Sequence, residues 1–222
     1  MHTDRSVFNF TLKKPFKPIF TAMKETKQHI LETSYKLFLS KTFKEVSMKE
    51  LVDAAGLSKG AFYHYFSSKE ELFREVIEQH LMGKILFYYD KLDNSSLQSF
   101  YTNYLELLNQ YSAQRAESND SNLLTMIFEA IRMFPELREN FSKLNTLELN
   151  IWTEVVVRAK QNDEIKTKMS NESIAQIFIF TRIAVGIRRN MGIELHPEKI
   201  ITEKLRTVWN DFYNELKSDL IS

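Results

Sequence analysis

The sequence predicts an all-α protein of about nine helices, and three observations predict it. Only five glycines and four prolines punctuate 222 residues, too few for the many tight turns of an all-β fold. Apolar residues recur at i, i+3 and i+4 through most of the chain. With 43% hydrophobic and 27% charged residues, the composition is that of a globular chain that buries a core. The absence of cysteine excludes a disulfide framework and thiolate metal sites. No apolar run approaches the roughly 20 residues that span a bilayer. Phe8, Phe10, Phe16 and Phe20 are scattered among polar neighbours rather than gathered into a signal-peptide core, so a soluble, cytoplasmic protein is expected.

Net charge is only +1, but its distribution is uneven. Residues 1–69 carry 12 Lys or Arg against 6 Asp or Glu, and the remainder carries 18 against 23. A basic first third points to an anionic partner for that part.

Residues 1–22 hold Pro15 and Pro18 and no sustained period, so a flexible arm is expected there. From Lys24 to about Lys41, Ile30, Leu31, Tyr35, Leu37 and Phe38 share one helical face. Ser47-Met48-Lys49-Glu50 is a capping box that starts a second helix, with Leu51, Ala54 and Ala55 turned inward and Gly56 as its left-handed stop. Ser58 is an N-cap for a third helix, Lys59 to about Phe66, too short to be stable unless packed. Ser67-Ser68-Lys69-Glu70-Glu71 starts a long fourth helix carrying Leu72, Phe73, Val76, Ile77, His80, Leu81, Ile85 and Tyr88.

Asp90 to Ser96 is a polar break. Beyond it, Leu97, Phe100, Tyr101, Tyr104, Leu105, Leu108 and Tyr111 mark a fifth helix. Leu123, Ile127, Ala130, Ile131 and Phe134 mark a sixth, stopped by Pro135, and Leu144, Leu147, Ile151 and Val155 a seventh. The stretch from Ile174 to Ile187 is apolar on nearly every side, which in a soluble helix means burial on more than one face. The ninth helix keeps a stripe through Ile201, Leu205, Val208, Trp209, Phe212 and Leu216.

Two short helices joined by a tight glycine turn have the proportions of a helix-turn-helix, whose second helix enters the major groove. A helical hairpin that merely packs has the same outline. The run VSMKELVDAAGLSKGAFYHYFSSKEELF, from Val46 to Phe73, resembles the helix-turn-helix signature of TetR/AcrR-type regulators. It joins the capped second helix, the Ala-Ala-Gly-Leu-Ser turn, the Lys-Gly start of the third helix, the Phe-Tyr-His-Tyr-Phe run and the Ser-Lys-Glu-Glu-Leu start of the fourth. Residues 24–85 carry the resemblance. The remainder is similar in length, helical pattern and the Phe-Pro-Glu-Leu-Arg run at 134–138. One departure is Thr42, where the family usually has glycine, tolerable unless the backbone there demands positive φ.

The resemblance implies a helix-turn-helix DNA-binding domain over 23–69 and a C-terminal effector-binding and dimerisation domain over 70–222, paired through the last two helices. It also implies double-stranded operator DNA as partner and a small apolar or amphipathic molecule as effector, with no cofactor. Lys59 suits guanine O6 and N7, while Gly60 and Ala61 leave room for close approach to base edges. Tyr63 and His64 offer donors to phosphate. Ser47, Ser58 and Lys69 stand at helix starts where backbone N–H groups attract it, and the resemblance makes Tyr63 and Lys69 phosphate clamps. Phe62 and Phe66, four apart, read as core.

For the effector, Met126, Trp152, Phe178 and Arg182 are the candidates, in a pocket expected between the fourth and eighth helices. Arg182 is expected to pair with an anionic ligand or with a carboxylate across a dimer interface. The fourth helix, through Ile85 and Tyr88, is the expected lever back to Lys69. An enzyme needs convergent polar groups, and histidines 2, 29, 64, 80 and 196 have no helical partner at metal-ligand spacing. Control by a protein partner in place of a small molecule stays open at this point.

Overall fold

The computed structural model describes residues 22–83, 89–116, 123–190 and 198–218. Within them lie nine helices and no strand: α1 (Ala22–Ser40), α2 (Met48–Ala55), α3 (Lys59–Tyr65) and α4 (Lys69–Glu75, continuing through the wider π-helical turns of Val76–Met82) come first. Then follow α5 (Leu97–Ala116), α6 (Leu123–Met133), α7 (Leu137–Gln161), α8 (Asn171–Asn190) and α9 (Glu198–Lys217). The expected arm falls outside the described residues except for Ala22, which opens α1. Ile85 and Tyr88 of the expected lever also lie outside them, as do the side chains of His80, Tyr111 and Ile201.

Caps set the first helices. The Glu50 amide donates to Ser47 Oγ at 3.2 Å, and the Ser47 amide donates back to the Glu50 carboxylate at 2.8 Å. Gly56 closes α2 at φ 64°, the left-handed region a side chain resists. Ser58 caps α3 through the Ala61 amide, and Ser68 caps α4 through the Glu71 amide. Ala54, expected inward, is exposed: on so short a helix only Leu51 and Ala55 reach the buried face.

Two buried clusters organise the molecule. The first gathers α1 to α4 around Phe38, Phe62, Phe66 and Phe73, and also takes in Met126, Ala130 and Phe134 from α6 and its end, with Leu137 at the start of α7. The second joins α5, α7, α8 and α9 around Tyr101, Trp152, Phe178 and Trp209. Trp152 stacks on Phe178 with centroids 5.1 Å apart, and Trp209 stands edge-on to both. Glu164 reaches across 67 positions to accept from the Leu97 amide, satisfying an otherwise unpaired N–H at the start of α5.

Helix α7 begins seven residues before its first expected apolar position. Its opening turns are polar and mostly exposed, with Leu137 and Phe141 as their apolar anchors, so the periodic signal there is thin. It stops without glycine, since Asp163 takes the left-handed turn at φ 54°. No described helix is long and apolar enough to cross a membrane.

Candidate nucleic-acid interface

Helix α3 is sorted by side. Phe62 and Phe66 are fully buried, while Lys59, Gly60, Ala61, Tyr63 and His64 are exposed and Tyr65 is intermediate. The i, i+4 phenylalanines fix the rotation of a seven-residue helix that would not persist alone, and the opposite face is thereby held toward solvent. The Lys59 ammonium lies 5.8 Å from the Tyr63 ring centroid, pre-arranging a cationic and aromatic pair. A Cβ added at Gly60 would meet nothing within 4 Å, so no packing inside the protein demands glycine there. Ser47 and Ser58 are exposed caps at the two helix starts that flank the turn.

This geometry presents a helix N-terminus, a cation and hydrogen-bonding aromatics on one exposed helix face, which suits a groove lined by phosphates. Residues 30–76 match the family model for bacterial regulatory proteins of the tetR family. Over these residues the chain carries the tetR-family domain.

Among relatives of this chain, the transcriptional repressor NemR of Escherichia coli K12 is 34% identical over 90 residues, 40% of this chain and 43% of NemR. The regulator YfiR of Bacillus subtilis is 43% identical over 65 residues, 26% of this chain and 32% of that protein. The matched segments span between 20% and 45% of the lengths of such relatives. Solved structures agree over more of the chain. A transcriptional regulator from Aquifex aeolicus superposes with a TM-score of 0.61 at 23% identity, covering 84% of this chain and 99% of that one. A TetR regulator from Haloarcula marismortui gives 0.68 at 12% identity over 87% and 98%. At these identities the structures establish the fold.

The other expected site residues sit as follows. Lys69 points inward: its Nζ donates to the carbonyls of Phe43 and Val46, both at 2.7 Å, and lies 4.2 Å from the Phe43 ring centroid. Two of its three donors thus brace the turn between α1 and α2. Thr42 sits in the same turn without positive φ, and its amide and hydroxyl both donate to Glu45, at 2.8 and 2.7 Å. Lys41 pairs with Glu50 at 2.6 Å. Hydrogen bonds from Lys41 and from the Ser47 amide hold the Glu50 carboxyl down to about 2, and bonds from Thr42 and Ser67 lower Glu45 and Glu71 respectively.

The acid behaviour of the caps follows from that direction. A carboxyl whose folded pKa lies below its unfolded value contributes stability that is complete above the unfolded value and is lost as pH falls. Unfolding followed at α1 to α4 should therefore show a melting temperature that drops between about pH 4.5 and 2. Glu50→Gln should flatten that dependence; an equally steep profile in the variant would contradict the assignment.

The effector candidates separate into two neighbourhoods. Met126 is buried in the first cluster, against α1 to α4, whereas Trp152, Phe178 and Arg182 lie together in or beside the second. Arg182 pairs within its own chain: Nη2 donates to both oxygens of Glu148, at 2.8 and 2.9 Å. The Tyr89 hydroxyl donates to Glu148 and accepts from Trp152 Nε1 at 3.2 Å. Burial, then the neighbouring Tyr104 and Glu148, push Tyr89 well above the ordinary phenol range, so it keeps the proton it donates. Glu148, Tyr89 and Glu129 escape sequence reading, because their partners lie 34 to 86 positions away and no local spacing announces them.

Proposed function

We propose that this chain is a sequence-specific, cytoplasmic DNA-binding transcription regulator, a homodimeric repressor released from its operator by a small apolar or amphipathic molecule. The observation that carries the reading is the sorted α3, with Phe62 and Phe66 in the core and Lys59, Gly60, Ala61, Tyr63 and His64 outward. Lys59 reads base edges, and Tyr63 and His64 contact phosphate and thymine methyls. Ser47 and Ser58 present helix N-termini to the backbone. With its ammonium committed to two carbonyls, Lys69 serves the DNA chiefly by holding the turn, and its one remaining donor is what it offers to phosphate.

Dimerisation through α8 and α9 is supported by the surface of α8. Its far face exposes Phe180, Ile183 and Ile187, spaced three to four apart, and α9 exposes Val208. Trp209, by contrast, is wholly buried in its own subunit and donates to Thr181 Oγ1 at 2.8 Å. The pairing face of α9 therefore runs through Val208, one residue off the Trp209 stripe.

For the effector, the candidates are Trp152 and Phe178, buried and stacked on each other in the second cluster, and Arg182, whose buried Nε–H has no partner among the described residues. A ligand engaging that donor would act as effector by preferring the conformation that does not fit DNA, since equal affinity for both shifts nothing. Apolar and amphipathic metabolites screened by thermal shift, then by operator affinity, test this part. Hits that stabilise the protein and leave operator affinity unchanged refute it.

The DNA part makes its own prediction. On a site obtained by selection from random sequence, Lys59→Ala should lose about 1–3 kcal/mol at one base position and relax preference there. A uniform loss across all sequences would remove Lys59 from base reading.

A further inference from the structure

Where α1 ends, the chain turns through residues 41–46 before Ser47 caps α2; the amides of Lys41, Thr42, Glu45 and Val46 find partners within four residues, whereas the Phe43 amide and the Phe43 and Val46 carbonyls are met by distant side chains. Phe43 is gripped from several directions. Its amide donates to Glu129 Oε2 of α6 at 2.9 Å, a contact between residues 86 positions apart. Its carbonyl accepts from Lys69 of α4 at 2.7 Å, and the same ammonium takes the Val46 carbonyl, one residue before the α2 cap. Its ring lies against Phe73, with centroids 4.9 Å apart.

The second domain touches the first by other means as well, and these differ in what they fix. Met126, Ala130 and Phe134 bury apolar surface, which is non-directional and permits sliding. Arg74 and Glu136 pair at 3.0 Å with both side chains about half exposed, where ion pairs contribute little. The Glu129 bond is part-buried, charged and directional, and it ends on the backbone of the turn that carries α2 and α3.

We infer that Glu129 is a positioning residue for the DNA-reading unit: its carboxylate pins the Phe43 peptide to α6, so the orientation of α2 and α3 is set by α6. Lys69 completes the clamp through the Phe43 and Val46 carbonyls and makes the turn move as one piece with α4. The consequence at the operator rests on the DNA-binding reading; the positional consequence does not.

The test uses the absence of native cysteine. Lys49→Cys on α2 and Glu154→Cys on α7, both exposed, accept nitroxide labels whose separation is read by pulsed dipolar spectroscopy. Labelled chains are diluted with unlabelled ones, so that only distances within a chain are seen. Glu129→Met keeps the packing volume and removes the acceptor, and Glu129→Gln keeps an acceptor oxygen. The expected result is a narrow distance distribution in the parent, a broadened or shifted one in Glu129→Met, and recovery in Glu129→Gln. Operator affinity should fall about tenfold in Glu129→Met and recover with Gln. A lowered melting temperature in Glu129→Met with an unchanged distribution would show a structural bond only and overturn the inference. An altered distribution in a protein that selects no DNA sequence would uphold the inference and count against the DNA-binding reading alone.

Discussion

Replacing Arg182 with methionine is expected to remove about 3–5 kcal/mol of stability, among the largest losses a single side chain of this protein can cause. The Arg182 and Glu148 side chains retain only 25% and 11% of their exposure, and both carboxylate oxygens face the same guanidinium nitrogen. Methionine fills much of the space but leaves Glu148 as a buried carboxylate supported by Tyr89. The double change Arg182→Met with Glu148→Leu should recover most of the loss, because a matched apolar pair carries no desolvation cost. Urea unfolding of the two singles and the double, analysed as a mutant cycle, measures this directly. A single-variant loss below about 1 kcal/mol would mean that water already screens the pair.

The second large effect is on assembly. Phe180, Ile183, Ile187 and Val208 are 59%, 38%, 40% and 50% exposed, and the proposed dimer covers them. Phe180→Glu with Ile183→Glu should leave the fold of each subunit intact, since neither residue belongs to the buried clusters. The variant should sediment as a monomer at micromolar concentration. Losing the second reading unit should weaken binding to a palindromic site by roughly a hundredfold or more, the advantage of linked binding modules. A variant that stays dimeric would move the interface elsewhere.

How much of this was legible beforehand depends on how local the cause is. The starts of α2, α3 and α4 and the stop of α2 were readable because serine caps and Gly56 act within four residues of their own positions, whereas the π-helical turns that follow Glu75 carry no such local signal. The rotation of α3 was readable from Phe62 and Phe66, which leave one orientation for a buried face. The two apolar faces of α8 were readable from composition, since Ile174 and Phe178 face inward and Phe180 and Ile183 outward.

What was not legible is long-range. Lys69 at a helix start resembles a phosphate ligand, and only the folded turn shows two carbonyls within its reach. Arg182 was visible as a charge in an apolar helix, but its partner Glu148 looked like any surface acid of α7. Met126 sits on a helix whose buried side packs into the cluster of α1 to α4, which its sequence neighbours do not reveal. Thr42, where the family usually has glycine, fits because the turn there has no positive φ and Glu45 takes both its donors.

The central claim is that the exposed face of α3 reads DNA in a dimer, and selection from random duplex DNA by the full chain tests it most directly. The account predicts enrichment of a palindromic site bound by two chains, with log affinity falling linearly against log salt at a slope of about −0.9 per phosphate neutralised. Lys59→Ala should shift the enriched sequence. No enriched sequence, together with a shallow salt slope, would contradict the account.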